Sequence, residues 1–117
     1  MSATIRVRAY LNTTTVDGGL PIGMLFGYQP EHELVLAFET TVMGTSPDHA
    51  VCEQVFRLLN IGDDPEVGTP DPRAVAYRQR GHRSMSPGDV VSVDDRFYAC
   101  ASAGFDPIDP PARLATR

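Results

Sequence analysis

Apolar side chains at every second position near the start of the chain, Ile5, Val7, Ala9 and Leu11, alternate with Thr4, Arg6, Arg8 and Tyr10. A two-residue period puts the two sets on opposite faces of a β-strand, so the apolar face must rest on a second layer. A helix is available to supply it. Ser46, Pro47 and Asp48 punctuate its start: a hydroxyl able to cap free amides, a ring suited to the first helical position, and a carboxylate that complements the positive end of the dipole. Val51, Val55, Leu58 and Leu59 form an apolar stripe, widened by Cys52 and Phe56, that Asn60 or Gly62 brings to an end.

Other segments are read by the same rules. Leu34–Met43, rich in Leu, Val, Phe and Thr, suits a strand covered on both faces or near the sheet centre, and is expected to pair with the first strand. Between the two, Asn12–Thr15 and Asp17-Gly18-Gly19 supply a turn. Leu20–Tyr28, interrupted by Pro21, Gly23 and Gly27, reads as irregular or as a short edge strand open to pairing with a second copy of the chain, which would make a homodimer. Ala74–Arg80 reads as a strand with Val75 and Tyr77 on one side and Arg78 and Arg80 on the other. Ser86-Pro87-Gly88-Asp89 has Pro and Gly in the central positions of a type II turn, and Val90–Val93, Asp94-Asp95 and Arg96–Ala103 read as a hairpin. From Asp106 onward, Pro107, Pro110 and Pro111 argue against a place in a ladder. The fold class expected is α+β: a small antiparallel sheet, one principal helix at about 46–60 and a C-terminal hairpin. Residues 1–108 form a single domain in this reading, and 109–117 a flexible tail.

With 117 residues, 42% of them hydrophobic, the chain can hold a core without metal or disulfide staples. No apolar run approaches the roughly 20 residues needed to cross a bilayer, and Met1–Tyr10 carries arginines where a signal peptide needs an apolar run. The expectation is a cytoplasmic protein with no membrane partner. Cys52 and Cys100 are far apart, lack CxxC spacing and have apolar neighbours, so they read as buried free thiols. A zinc site would need further ligands from His32, His49 and His82, which are scattered over unrelated segments; no metal or cofactor is expected.

Charge is patterned. The formal net is −5, and all 10 bases are arginine. Residues 61–72 carry Asp63, Asp64, Glu66 and Asp71 with no base; residues 73–88 carry Arg73, Arg78, Arg80 and Arg83 with no acid; residues 89–109 turn acidic again through Asp89, Asp94, Asp95, Asp106 and Asp109 against Arg96. The basic block either pairs with its acidic neighbours or meets an anionic partner, and internal pairing is the favoured outcome.

The stretch Arg83-Ser84-Met85-Ser86-Pro87-Gly88-Asp89-Val90-Val91, followed by Arg96-Phe97-Tyr98 and Gly104-Phe105, resembles the core of YodL-like domains and of small actinobacterial proteins, some associated with mobile elements. The resemblance covers roughly residues 50–108, including the helix ending in Phe56 through Asn60. It implies a binding or regulatory role rather than catalysis, and it carries no catalytic residues over.

Arg6, Arg8, Arg78, Arg80, His82 and Arg83 are the candidate anion- or partner-binding residues. If their strands were neighbours, the guanidiniums would form one patch able to hold phosphate or carboxylate through paired N–H donors, with Tyr10 available for stacking. Asp89 is expected to accept backbone amides at its turn or to pair with an arginine. Cys100-Ala101-Ser102-Ala103-Gly104 falls short of a nucleophile elbow, lacking the first glycine and a following helix. The acidic 60–72 segment lacks EF-hand spacing and reads as a solvated loop, or as a recognition loop for a basic partner. No coherent acid, base and nucleophile set emerges, so the reading is a non-enzymatic interaction or regulatory domain whose partner is a protein. The alternative is a nucleic-acid-contacting or anti-defence protein of a mobile element, using the arginine-rich face; the net acidity counts against it.

Overall fold

The computed structural model describes residues 4–15, 19, 22–44 and 46–115 of the chain. Its elements run β1 (Thr4–Asn12), α1 (Ile22–Phe26), β2 (Leu34–Met43), α2 (Asp48–Ile61), α3 (Pro72–Gln79), β3 (Val90–Val93), β4 (Arg96–Cys100), β5 (Phe105–Ile108) and β6 (Leu114–Ala115). The six strands form one sheet in the order β5-β4-β3-β1-β2-β6, antiparallel except for the β2–β6 pair. This is the α+β class that the sequence implied.

The alternation in β1 works as expected. Ile5, Val7, Ala9 and Leu11 are buried in the main core with Val51, Cys52, Val55 and Leu59 of α2 and Tyr77 of α3. Each fully buried aliphatic of this interface contributes about 1.5–3 kcal/mol. A second, smaller cluster on the opposite sheet face joins Tyr10, Leu34, Val90 and Ala99, with Tyr28, Leu36, Phe97 and Ile108 packed against it. α2 begins one residue later than expected. Pro47 holds the cap position in an extended conformation and no side chain caps the helix, so Ser46 does not act as read. Asp48 keeps its place in the first turn and is also tied to the sheet, accepting from Arg96 Nε at 2.6 Å and from Tyr98 Oη at 2.5 Å.

Four local expectations are corrected. Ala74–Arg80 lies in a helix and its C-cap, not a strand: Asp71 accepts from Arg73 N at 2.9 Å as the N-cap and Pro72 takes the first turn, while Ala74 and Tyr77, three apart, form the buried side. Ile22–Phe26 is a short helix rather than an edge strand; Leu20, Pro21, Asp17 and Gly18 lie outside the described residues. The tail joins the sheet at two places. Pro107 pairs with Tyr98 in β5, tolerated because an edge strand needs ladder donors on one side only, and Leu114–Ala115 of the expected flexible 109–117 segment run parallel to Leu34 and Val35. Finally, β2 does pair with β1, but it sits next to the sheet margin rather than near its centre.

The expected Ser86–Asp89 turn forms, with Asp89 N donating to Ser86 O at 3.1 Å and Gly88 at φ 94°. A Cβ on Gly88 would stand 2.5 Å from Gly23 Cα, so the backbones of the turn and of α1 touch there. Gly88→Ala is therefore expected to cost about 3 kcal/mol or more in urea denaturation, from a backbone clash added to a left-handed φ. Gly104→Ala, at φ 82° with nothing near its Cβ, is expected to cost only about 1 kcal/mol.

Candidate functional site

The arginines do not converge. Arg6 and Arg8 alternate with the core residues of β1 and so lie on the sheet face opposite the helices, where Arg8 pairs with Glu39 of β2 at 2.5 Å. Arg78 belongs to α3 on the other side, and its guanidinium is spent internally: Nη2 donates to Leu59 O at 3.0 Å, Asn60 O at 3.2 Å and Ser84 Oγ at 2.5 Å, with Asp63 at 3.7 Å. The single patch that neighbouring strands would have made does not form, and the favoured internal pairing is what Arg73, Arg78 and Arg83 show, with Asp71, Asp63 and Asp89.

Arg83 serves architecture as well. Asp89 has no solvent exposure, and both of its oxygens are filled. Oδ1 accepts from Arg83 Nη2 and Asn12 N, each at 2.8 Å; Oδ2 accepts from Arg83 Nη1 at 2.7 Å and Ser86 N at 2.8 Å. The same guanidinium also reaches Asn12 O at 3.1 Å and Ser84 O at 3.0 Å. Asp89 thus behaves as the turn carboxylate the sequence suggested, and has no lone pair left for a substrate or metal. Asn12 extends the network: its amide donates to Gly88 O at 3.1 Å and to His32 Nδ1 at 2.9 Å. Because Gln29 N also donates to Nδ1, the proton of this buried imidazole lies on Nε2, which has no partner among the described residues. Nothing in the spacing of Asn12, His32 and Asp89 announces that they meet.

The remaining candidates separate cleanly. Cys52 and Cys100 are buried free thiols. Burial, with the nearby charges of Asp48 and Glu53, pushes Cys52 up to about 12; burial and Asp89 push Cys100 up to about 11. Both are poor nucleophiles at neutral pH. The Cys100–Gly104 segment is the turn between β4 and β5, closed by Ala101 N to Gly104 O at 2.9 Å. In the acidic loop, Asp71 caps α3 and Asp64 accepts from Glu66 N at 2.9 Å. Among the described residues no cluster of His, Cys, Asp or Glu is arranged to hold a metal ion, and no helix is long and apolar enough to cross a membrane.

What stays open is an edge. β6 pairs with β2 only at Leu34 and Val35; from Leu36 to Met43 no strand pairs with the outer side of β2 among the described residues. α3 runs beside it. Ala37 is the extra residue of a β-bulge where the register with β1 shifts, and its carbonyl accepts from Arg80 Nη2 at 3.1 Å. Between strand edge and helix lies a groove of about 470 Å³ lined by Val35, Ala37, Phe38, Ala76, Arg80 and His82. His82 leans on Tyr77, ring centroids 5.0 Å apart, and burial together with the Arg80 charge lowers its pKa below the ordinary histidine value. Past a contact from Arg73 Nη1 to Thr40 Oγ1 at 3.4 Å, the edge continues into a second hollow of about 460 Å³, to which Val42, Leu58 and Val67 contribute apolar surface. Arg6 and Arg8 share the outer face of β1, whereas Arg80 and His82 are the candidates that the fold brings together in an open groove; the edge itself is not evident in the sequence because Leu34–Met43 looks like an interior strand.

Comparison of the chain with protein-family models, with curated proteins and with solved structures returned no match.

Two outcomes test this account. Arg83→Met strands a buried carboxylate and is expected to cost about 3–5 kcal/mol in urea denaturation, while Arg8→Met, whose partner Glu39 faces water, changes stability little. The second concerns pH. Cys52, Cys100 and Tyr77, the last pushed up to about 12 by burial and Asp89, are neutral in the fold and ionise more readily once unfolded. Their contribution is therefore constant near neutrality, and stability falls as pH rises past the ordinary values of 9.0 for the thiols and 10.0 for the phenol. Replacing both cysteines with alanine is expected to flatten the first part of that fall.

Proposed function

We propose that the chain is a non-enzymatic protein-interaction domain that takes an extended segment of its partner as an added strand along the outer edge of β2. The observation that carries this reading is the unpaired Leu36–Met43 edge lying beside α3, with a groove between them. An unpaired edge offers a row of main-chain donors and acceptors to any extended peptide, and flanking pockets confer side-chain choice. The small Ala76 on α3 leaves room for a backbone to approach. The filled lone pairs of Asp89 and the raised thiol pKa values agree with a role outside catalysis. The division of the arginines across the sheet weighs against the nucleic-acid reading, since phosphate binding draws on a shared basic footprint.

Panning a phage library of random peptides roughly ten residues long, about the reach of one strand, tests the reading. The expected result is enriched peptides whose binding slows hydrogen exchange of β2 amides between Leu36 and Met43. Peptides that bind only the Arg6 and Arg8 face, or none enriched, would overturn it. So would a dimer that protects the same amides without peptide, which assigns the edge to a second copy, or low-salt binding of duplex or single-stranded nucleic acid that shifts Arg6, Arg8 and Arg80 together.

A further inference from the structure

Resting on the strand-addition reading, we infer that the segment received by β2 is acidic, with a carboxylate seated between Arg80 and His82 at the bulge end of the groove. Arg80 places one N–H on the Ala37 carbonyl, which leaves other guanidinium donors, and it forms no ion pair among the described residues. The other charged groups lining this groove are already engaged: Arg73 with Asp71 at 2.9 Å, and Glu39 with Arg8 across the strand. In a chain of formal net charge −5, this end of the groove is therefore a local cationic point against an acidic background. Guanidinium geometry suits a carboxylate held by two parallel N–H donors.

His82 adds a second donor that depends on pH. The groups around it are Tyr77 and Arg73 on α3, Arg80 in the turn, Glu39 across the groove on β2, and Arg78, whose Nη1 donates to the His82 carbonyl at 3.4 Å. In the free protein, burial and Arg80 favour the neutral ring. A carboxylate arriving beside it reverses the balance, because an opposite charge at close range favours the protonated imidazole. Proton uptake then accompanies binding, so affinity for an acidic segment rises as pH falls through the histidine range.

The test uses random peptides selected at about pH 6 and again at about pH 8, with affinities measured on the full chain for each selected peptide and for its Asp→Asn and Glu→Gln versions. The expected result is enrichment of Asp or Glu at a fixed position and about tenfold loss on amide replacement. At the higher pH, where His82 is neutral, Arg80→Gln is expected to erase that discrimination and Arg80→Lys to restore part of it. His82→Gln removes the tightening at low pH and leaves the discrimination in place. Both positions are partly or fully exposed, and an unchanged urea midpoint verifies that each variant folds. If peptides protect the β2 amides but show no acidic preference, and Arg80→Gln leaves affinity unchanged, the acidic segment is overturned while strand addition stands. If no peptide engages β2 at either pH, strand addition falls and the inference falls with it.

Discussion

A carboxylate sealed from water has to be held by donors equal to its charge, and Asp89 meets that demand with one guanidinium and two backbone amides. The donors come from two places, the Arg83–Ser86 loop and the end of β1 at Asn12, and the Asn12 side-chain amide in turn donates to Gly88 O and His32 Nδ1. Because an uncompensated buried charge costs several kcal/mol, these pieces must arrive together or not at all. The meeting of Gly88 with Gly23 follows from the same closure, since the turn carrying Asp89 has to lie flat against α1. Even the reciprocal clasp of Asn60 on Met85, with N to Oδ1 at 2.7 Å and Nδ2 to O at 3.1 Å, fixes the same loop from the side of α2.

That closure decides what the basic block can do. Two of its four arginines, Arg78 and Arg83, are spent satisfying carbonyls and carboxylates inside the fold, and Arg73 pairs with the N-cap of its own helix. The run Arg83-Ser84-Met85-Ser86-Pro87-Gly88-Asp89 is a loop folded around its own terminal carboxylate. Arg80 escapes because it stands at the C-cap of α3, where the chain turns beside the bulge in β2. A long unpaired strand edge is a hazard for a soluble chain unless it is shielded or used. Here Arg80 reaches the Ala37 carbonyl and Arg73 the Thr40 side chain, and the remainder of Leu36–Met43 has no strand partner on its outer side among the described residues.

Several parts of this design were legible in the residues. The alternation of β1, the stripe of α2, the Pro-Gly turn and the β3–β4 hairpin all formed, and the two thiols lie buried as read. Each rests on a short-range rule: a period of two or 3.6, or a φ that glycine alone adopts easily. The reading failed where one local signal had two solutions. Val75, Tyr77, Arg78 and Arg80 suit a two-residue period as well as a helical face, and the Asp71-Pro72 start that separates the two lies in a segment whose Pro and Gly content reads as loop. The prolines after Asp106 discouraged strands, yet at a sheet margin the missing donor costs nothing.

The sequence by itself determined which faces would be apolar, where the chain would turn, and that one helix layer would cover one side of a sheet, because those properties depend on residues within a few positions of one another. Only the tertiary structure decided that β2 would lie near the margin, that the arginines would part to opposite sides, and that Asn12, His32, Arg83 and Asp89 would share one buried network. Strand order and burial are set by partners distant in the chain. A charge therefore becomes a structural tie or an exposed site according to neighbours that no local pattern names.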